Sequence, residues 1–288
     1  IRIDVDSSLL WARCESYHHD LSLDDQGRIW ALRSDLRLHE TLDARHRVLD
    51  NSIEVLDVGG KSQDRISILE AFERSPFAPQ LSRIDRKRLK KNGDVFHTNA
   101  IRILNGSASN HPLFRAGNLL ISVRELDAVA VVDPRAGKVV WSLASMWRRQ
   151  HDPNLLDDGT LLLFDNLGRG GRSRVVDIDP ITQELLWSFP AAGGYDLYSD
   201  CCGKAQRLSN GNTLITETTR GRAIEVTREG RVVWEFVNPH RIDEGGEARI
   251  ASLFVLLRLE GRRLPWLRNS PLPDSPPQPS KDRRAPAS

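Results

Sequence analysis

The sequence predicts an all-β chain folded as a β-propeller, and three observations carry that expectation. Strand-turn-strand units with a tryptophan in the second strand recur as "VAVVDPRAGKVVWSL", "RVVDIDPITQELLWSF" and "RAIEVTREGRVVWEF". Their tryptophans, Trp141, Trp187 and Trp234, stand 46 and 47 residues apart, close to the ~40 to 50 residues of a four-stranded propeller blade. Between successive hairpins lies a second pair of strands, a polar segment followed by "GRIWAL", "GNLLISV", "GTLLLF" or "GNTLIT". No helical period intervenes between the strands, which favours a propeller over a sandwich or an α/β fold.

Taken in order, residues 1 to 14 with Trp11 read as the end of a blade, and fuller blades follow at 17 to 70, 96 to 143, 150 to 189 and 204 to 236. A further blade is expected to begin at "ARIASLFVLLRLEGRRLPWL", so the pattern fits six blades with the first incomplete. The stretch "RSPFAPQLSRIDRKRLKKNGDVF" is an insertion between blades, and its basic run reads as a solvated face. "VGGKS" imitates the end of a phosphate-binding loop, but the first glycine of that motif would fall on Val55, so it reads as a hairpin turn. "GRGGR" at 168 to 172 is one short copy between two strands and reads as a loop. The propeller is assigned to 1 to 268, and the Pro- and Ser-rich tail, 269 to 288, is expected to be disordered.

Composition bounds the function. The chain has 288 residues, 39% hydrophobic and 28% charged, enough for a sizeable core. Lys and Arg number 41 against 39 acidic residues, so no nucleic-acid partner is expected. Cys14, Cys201 and Cys202 show neither metal-ligand spacing nor the even count of a disulfide framework. No apolar run approaches the length of a membrane span. The chain opens inside a strand and without Met, so a targeting or anchoring segment is expected upstream of Ile1, and membrane association would run only through it.

The candidate site comes from matching the repeats. His19 lies eight residues before Gly27, and His151 eight before Gly159; the equivalent residue eight before Gly211 is Gly203. The histidine is therefore not demanded by the repeat, which makes a site more plausible than a packing rule. The blade between contributes His97 and Asn99 from "FHTNAIRIL", expected on one strand face because alternate residues share a face. Equivalent inner-strand residues of a propeller converge at the channel mouth. Such a histidine group could hold a metal, or could handle an anion by acid, base and nucleophilic chemistry. Arg124 in "LLISVREL" and Arg174 in "SRVVDI" carry fixed positive charge that opposes a cation, so no metal is expected and anion chemistry is preferred.

Over residues 1 to about 268 the chain resembles the bacterial arylsulfate sulfotransferases and their arylsulfotransferase-like relatives. The carriers are "HHDLSLDDQGRIWAL", "HTNAI" with "GNLLISVRELDAVAVVD", "QHDPNLLDDGTLLLFDN", "SRVVDIDP" and "AQRLSNGNTLI". The resemblance implies a six-bladed propeller that moves a sulfuryl group from an aryl sulfate donor to a phenol acceptor through a histidine, without a nucleotide donor or other cofactor. It implies His151 as that histidine, with His97, Asn99 and Arg124 as the supporting His, Asn and Arg and His19 as a further histidine. His151, His97, His19 and Arg124 are expected to be catalytic, and Asn99 and the positively charged Arg174 to bind substrate. The resemblance also implies an exported protein of the periplasm or envelope. The natural donor and acceptor and the oligomeric state are not encoded in these motifs. The competing class is a non-catalytic propeller binding a small anion or a partner protein.

Overall fold

Turn chemistry and apolar runs divide this chain into short antiparallel strands. The structure, a computed structural model, describes residues 1–106, 111–191 and 194–259. A ribbon of β1 (Arg2–Ile3) and β2 (Leu9–Trp11) comes first. The first full sheet holds β3 (Tyr17–Leu23), β4 (Ile29–His39), β5 (Asp43–Leu56) and β6 (Ser62–Ser67). The second holds β7 (Thr98–Ile103), β8 (Leu119–Val123), β9 (Ala128–Asp133) and β10 (Lys138–Ala144). The third holds β11 (His151–Leu155), β12 (Leu161–Asp165), β13 (Arg174–Ile178) and β14 (Leu185–Phe189). The fourth holds β15 (Lys204–Arg207), β16 (Thr213–Glu217), β17 (Arg222–Val226) and β18 (Val232–Val237), and a ribbon of β19 (Arg241–Glu244) and β20 (Glu247–Ile250) follows. In every four-stranded sheet the strands pair in sequence order. The fold is a β-propeller, and the described residues form four complete blades and two ribbons.

The core lies between the blades. Middle strands such as β8, β9, β12 and β16 are buried along their whole length, because a neighbouring blade covers each face or, for β16, a blade covers one face and the segment with Leu253 and Leu256 the other. One apolar cluster joins the first and second blades, a second joins the second and third, and a third joins the third and fourth. The repeat glycine has a conformational reason: Gly159 sits at φ +87° and Gly211 at φ +85° in the turn between first and second strands, a region closed to most side chains. Trp141, Trp187 and Trp234 all fall on fourth strands, opposite Val131, Asp177 and Glu225. Trp11 donates from Nε1 to the Val58 carbonyl at 3.0 Å, as Trp187 does to Arg228 at 2.8 Å. The first ribbon therefore stands where the outer pair of a blade would stand.

Two expectations need correction. The insertion is not merely a solvated face: it contains a 3₁₀ turn over Ala78–Arg83 and helix α2 (Arg86–Asn92), preceded by α1 (Ile68–Glu73). Ile68, Leu69, Ala71, Phe72 and Leu89 of these helices are buried in the first cluster. The helices are too short to display a period. A strand-rich blade was expected from 248, yet β20 ends at Ile250 and no strand is found over 251–259. Leu253 donates its N–H to the Thr218 carbonyl, and both Leu253 and Leu256 pack on Leu208, Leu214 and Ala223, so this segment is spent against the fourth blade. The remainder of that expected blade and the tail from 269 lie outside the described residues. "VGGKS" is a turn between β5 and β6, and "GRGGR" a loop with one 3₁₀ turn. No described helix is long and apolar enough to cross a membrane. The residues up to Leu256 form one compact unit; in the second, which starts at Leu257, the described residues 257–259 form neither helix nor strand.

The aspartate of each His-Asp pair joins blades. Asp20 accepts from the Ile101 N–H at 3.1 Å, and Asp152 from the Ala205 N–H at 3.2 Å, each on the next inner strand. Arg102 lies between them, paired to Asp20 and at 2.8 Å to Asp152, which also takes Lys204 Nζ at 3.1 Å. Asp152→Ala strands these donors, and the expected cost is about 3 kcal/mol. Urea unfolding should show a lower midpoint at unchanged slope; an unchanged midpoint would remove the clasp from the explanation of blade packing.

Candidate active site

Backbone irregularity aims the candidate side chains. In β11 the register runs His151↔Phe164 and then Asn154↔Leu162, in β7 Thr98↔Val123 and then Ala100↔Ser122, and in β3 Tyr17↔Arg33 and then Leu21↔Ala31. Each inner strand carrying candidate residues thus holds a bulge, which turns side chains off the ordinary alternation. The strand without one, β15, pairs regularly from Lys204↔Thr216 to Arg207↔Thr213. The expected shared face of His97 and Asn99 is overturned by this irregularity, because Asn99 is the bulged residue and His97 precedes the strand at φ +46°. Counting back four residues from the last ladder pair of each inner strand gives His19, Asn99, His151 and Gly203. The true counterpart of the two histidines is therefore Asn99, while His97 stands two residues earlier.

His151 is buried, with its Nδ1 2.7 Å from Asn166 Oδ1 and 3.0 Å from the Arg149 carbonyl. Both partners are acceptors, so Nδ1 carries the proton and Nε2 keeps its lone pair. The remaining contact of Nε2 is the Cys202 N–H at 3.3 Å, long for a hydrogen bond. Burial, then the positive charges of Arg124 and His97, lower the His151 pKa to about 4 despite the hydrogen bonds from Nδ1. The ring is neutral through the physiological range.

His97 Nδ1 lies 2.6 Å from Asp94 Oδ2, and its N–H donates to Asp94 Oδ1 at 3.1 Å. Burial would raise the Asp94 carboxyl, but the hydrogen bond and charge of His97, with Arg88, hold it below the ordinary carboxylate range. The His19 ring packs edge-on against His97 with centroids 4.7 Å apart, and His18 Nδ1 meets His19 Nδ1 at 2.8 Å. His19 keeps an exposed edge, yet desolvation of its packed side and the charges of His97 and His18 push it down to about 4. Arg124 is buried, its Nη1 paired with Glu125 and its Nε without a partner among the described residues. Asn99 donates from Nδ2 to the Gln150 carbonyl at 2.9 Å, while its Oδ1 and Gln150 Oε1 are likewise buried and unpartnered.

His19 and His97 are thus in ring contact, Arg124 and His97 lie within electrostatic reach of His151, and Asn99 is bonded to Gln150, the residue before His151. Arg174 is placed elsewhere. Its Nε binds Asp165 at 2.8 Å and its Nη2 the Met146 carbonyl at 3.0 Å. It lines a separate cleft of about 530 Å³ with Trp147, Arg148 and Gly168, whose walls include none of the other candidates. No group of three or more His, Cys, Asp or Glu side chains among the described residues could hold a metal ion. Sequence reasoning missed Asn166, which orients His151 and is fixed by its own Nδ2 donating to the Ser199 and Cys202 carbonyls at 2.9 and 2.8 Å. The signal was present: Arg124 and Asn166 each immediately follow the second strand of their blades, β8 and β12.

Comparison with known proteins adds a family. The family model described as "Arylsulfotransferase (ASST)" matches residues 12–239. No curated protein matches the sequence. Among solved structures, a protein of unknown function from Bacteroides caccae superposes with a TM-score of 0.52 at 14% identity, covering 81% of this chain and 73% of that one. Virginiamycin B lyase from Staphylococcus aureus gives 0.43 at 13% identity, covering 78% of this chain and 56% of that one. The Dos1 propeller gives 0.46 at 12% identity, covering 83% and 52%. The chain spans about half the length of these last two, and at such identities the likeness concerns the fold alone.

Proposed function

Because the chain belongs to the arylsulfotransferase family, we propose that it moves a sulfuryl group from an aryl sulfate to a phenol through a sulfated His151. The observation that carries this reading is the oriented, neutral ring of His151, whose Nδ1–H is committed to Asn166 and the Arg149 carbonyl and whose Nε2 lone pair meets only the Cys202 N–H, at a long 3.3 Å that an electrophile can displace. A neutral imidazole so fixed is a competent nucleophile.

In the first half-reaction Nε2 forms a bond to sulfur as the bond from sulfur to the aryl oxygen breaks. The departing phenolate takes a proton from the imidazolium form of His97, which the Asp94 carboxylate supports. Arg124 offers its unpartnered Nε–H to the sulfuryl oxygens, and Asn99 offers the Nδ2 hydrogen not used by Gln150. The neutral His19 ring packs on His97 and fixes its plane. In the second half-reaction the acceptor hydroxyl returns its proton to His97 while its oxygen attacks sulfur, and the nitrogen–sulfur bond breaks to restore neutral His151.

The test is release of 4-nitrophenol from 4-nitrophenyl sulfate, accelerated by an added phenol that emerges sulfated. Folded protein that releases nothing would favour the alternative, a non-catalytic propeller binding an anion or a partner.

A further inference from the structure

The basic insertion between the first two blades supplies a residue that reaches both arms of the site. Helix α2 is short but well bounded: Asp85 caps it by accepting from the Lys87 N–H at 2.8 Å, Leu89 is buried, and Gly93 ends it at φ +72°. A side chain at Gly93 would meet the Arg47 carbonyl at 2.7 Å, so the helix end is pinned against β5. Lys87, Lys90 and Lys91 point to solvent, whereas Arg88 is half-buried.

All three guanidinium nitrogens of Arg88 are engaged. Nε donates to the Asp94 carbonyl at 2.7 Å, Nη2 lies 3.5 Å from Asp94 Oδ2, and Nη1 lies 3.3 Å from Glu125 Oε2. Asp94 is the carboxylate that holds His97 Nδ1, and Glu125 the one that holds Arg124 Nη1. Both carboxylates are largely buried. Without the cation they share, they would repel one another and be free to pair again with whichever base lay nearer. A planar fork can hold two carboxylates at once, which the single ammonium of lysine does less well.

We propose that Arg88 is a positioning residue for the transfer reaction, fixing His97 through Asp94 and Arg124 through Glu125. The proposal rests on the sulfuryl-transfer reading. Arg83 braces the same region from the preceding turn: it donates from Nε to the Leu126 carbonyl at 2.8 Å, and its Nη2 lies 3.6 Å from Asp127. Asp127 in turn accepts from the N–H of Arg149, whose carbonyl meets His151 Nδ1. The insertion therefore supports the site as well as separating two blades.

The experiment compares Arg88→Met, Arg88→Lys and, as a control on the same helix, Lys90→Met, with 4-nitrophenyl sulfate as donor and phenol as acceptor. Arg88→Met should lower kcat on the order of 10- to 100-fold with little change in KM, as expected of misplaced rather than missing groups. Arg88→Lys should recover part of the rate, and Lys90→Met should match the wild type. In a His97→Ala background Arg88→Met should add less than it costs alone, because the two act through one arrangement. A second readout needs no turnover: histidine-ring nitrogen spectra of the wild type should show His97 protonated at Nδ1 and bonded to Asp94, and Arg88→Met, or Arg88→Lys if the former does not fold, should alter that signal. An unchanged His97 signal together with wild-type kcat overturns the proposal, as does a full multiplication of the Arg88 and His97 effects. If the wild type itself releases no nitrophenol, the sulfuryl-transfer reading falls, and the ring spectrum alone decides whether Arg88 positions His97.

Discussion

His151→Ala is expected to abolish transfer from an aryl sulfate, a loss on the order of 10⁴-fold or more in kcat, since it removes the nitrogen that would attack sulfur. The cause is local. Asn166 and the Arg149 carbonyl fix one ring nitrogen as a donor, and this leaves the other as the lone-pair nitrogen. The pH dependence follows from the same environment. With a pKa of about 4 in the folded protein, His151 is already neutral at pH 5, so its protonation should limit the rate only as pH falls toward 4. Its burial as a neutral ring also favours folding above the ordinary histidine pKa of about 6.5, and that contribution is lost as pH falls from there to about 4. His151→Ala should therefore flatten the acid side of the stability curve measured by thermal unfolding. An unaltered acid limb would mean that the ring titrates alike in the folded and unfolded chain, and the depressed pKa of His151 would be wrong.

Arg124→Ala is expected to lower kcat about 100- to 1000-fold, the usual cost of removing one preorganised donor, with a smaller change in KM. The buried guanidinium leaves Nε unpartnered among the described residues and uses Nη1 on Glu125. A buried N–H with no partner in the free protein is one that a bound anion can satisfy. Arg124→Lys should rescue little, because an ammonium cannot hold Glu125 and present a second donor in the same plane. A change in KM alone, at full kcat, would place Arg124 in ground-state binding.

The blades were legible because their determinants are local and repeated. A tryptophan recurs in the fourth strand of the last three blades, a glycine recurs in each first turn, and middle strands such as β9 and β12 are largely apolar runs. The histidines were legible through register, since His19 and His151 keep their distance from the turn glycine while Gly203 takes the same place in the fourth blade. Bulges were not legible, because nothing in "FHTNAI" marks Asn99 as the extra residue of its ladder. The partners that tune the site were hidden for another reason. Asp94, Glu125 and Arg88 come from a connecting segment and a strand end, and only tertiary packing brings Glu125 within 3.3 Å of the Arg88 that also lies 3.5 Å from Asp94. Arg174 illustrates the converse. Its fixed positive charge suggested a substrate contact, but Asp165, fully buried on the neighbouring strand, takes its guanidinium. Asp152 reads as a companion of His151 in sequence, yet it faces the next blade.

The sulfated enzyme itself provides the sharpest test. Protein mixed with 4-nitrophenyl sulfate in the absence of a phenol, then digested under mildly alkaline conditions, should yield one peptide heavier by a single sulfuryl group. Fragmentation should place that group on His151, mild acid or added phenol should remove it, and His151→Ala should not acquire it. A sulfuryl group found on His97, His19 or any other residue, or continued transfer to phenol with no sulfated enzyme at any time, would contradict the mechanism.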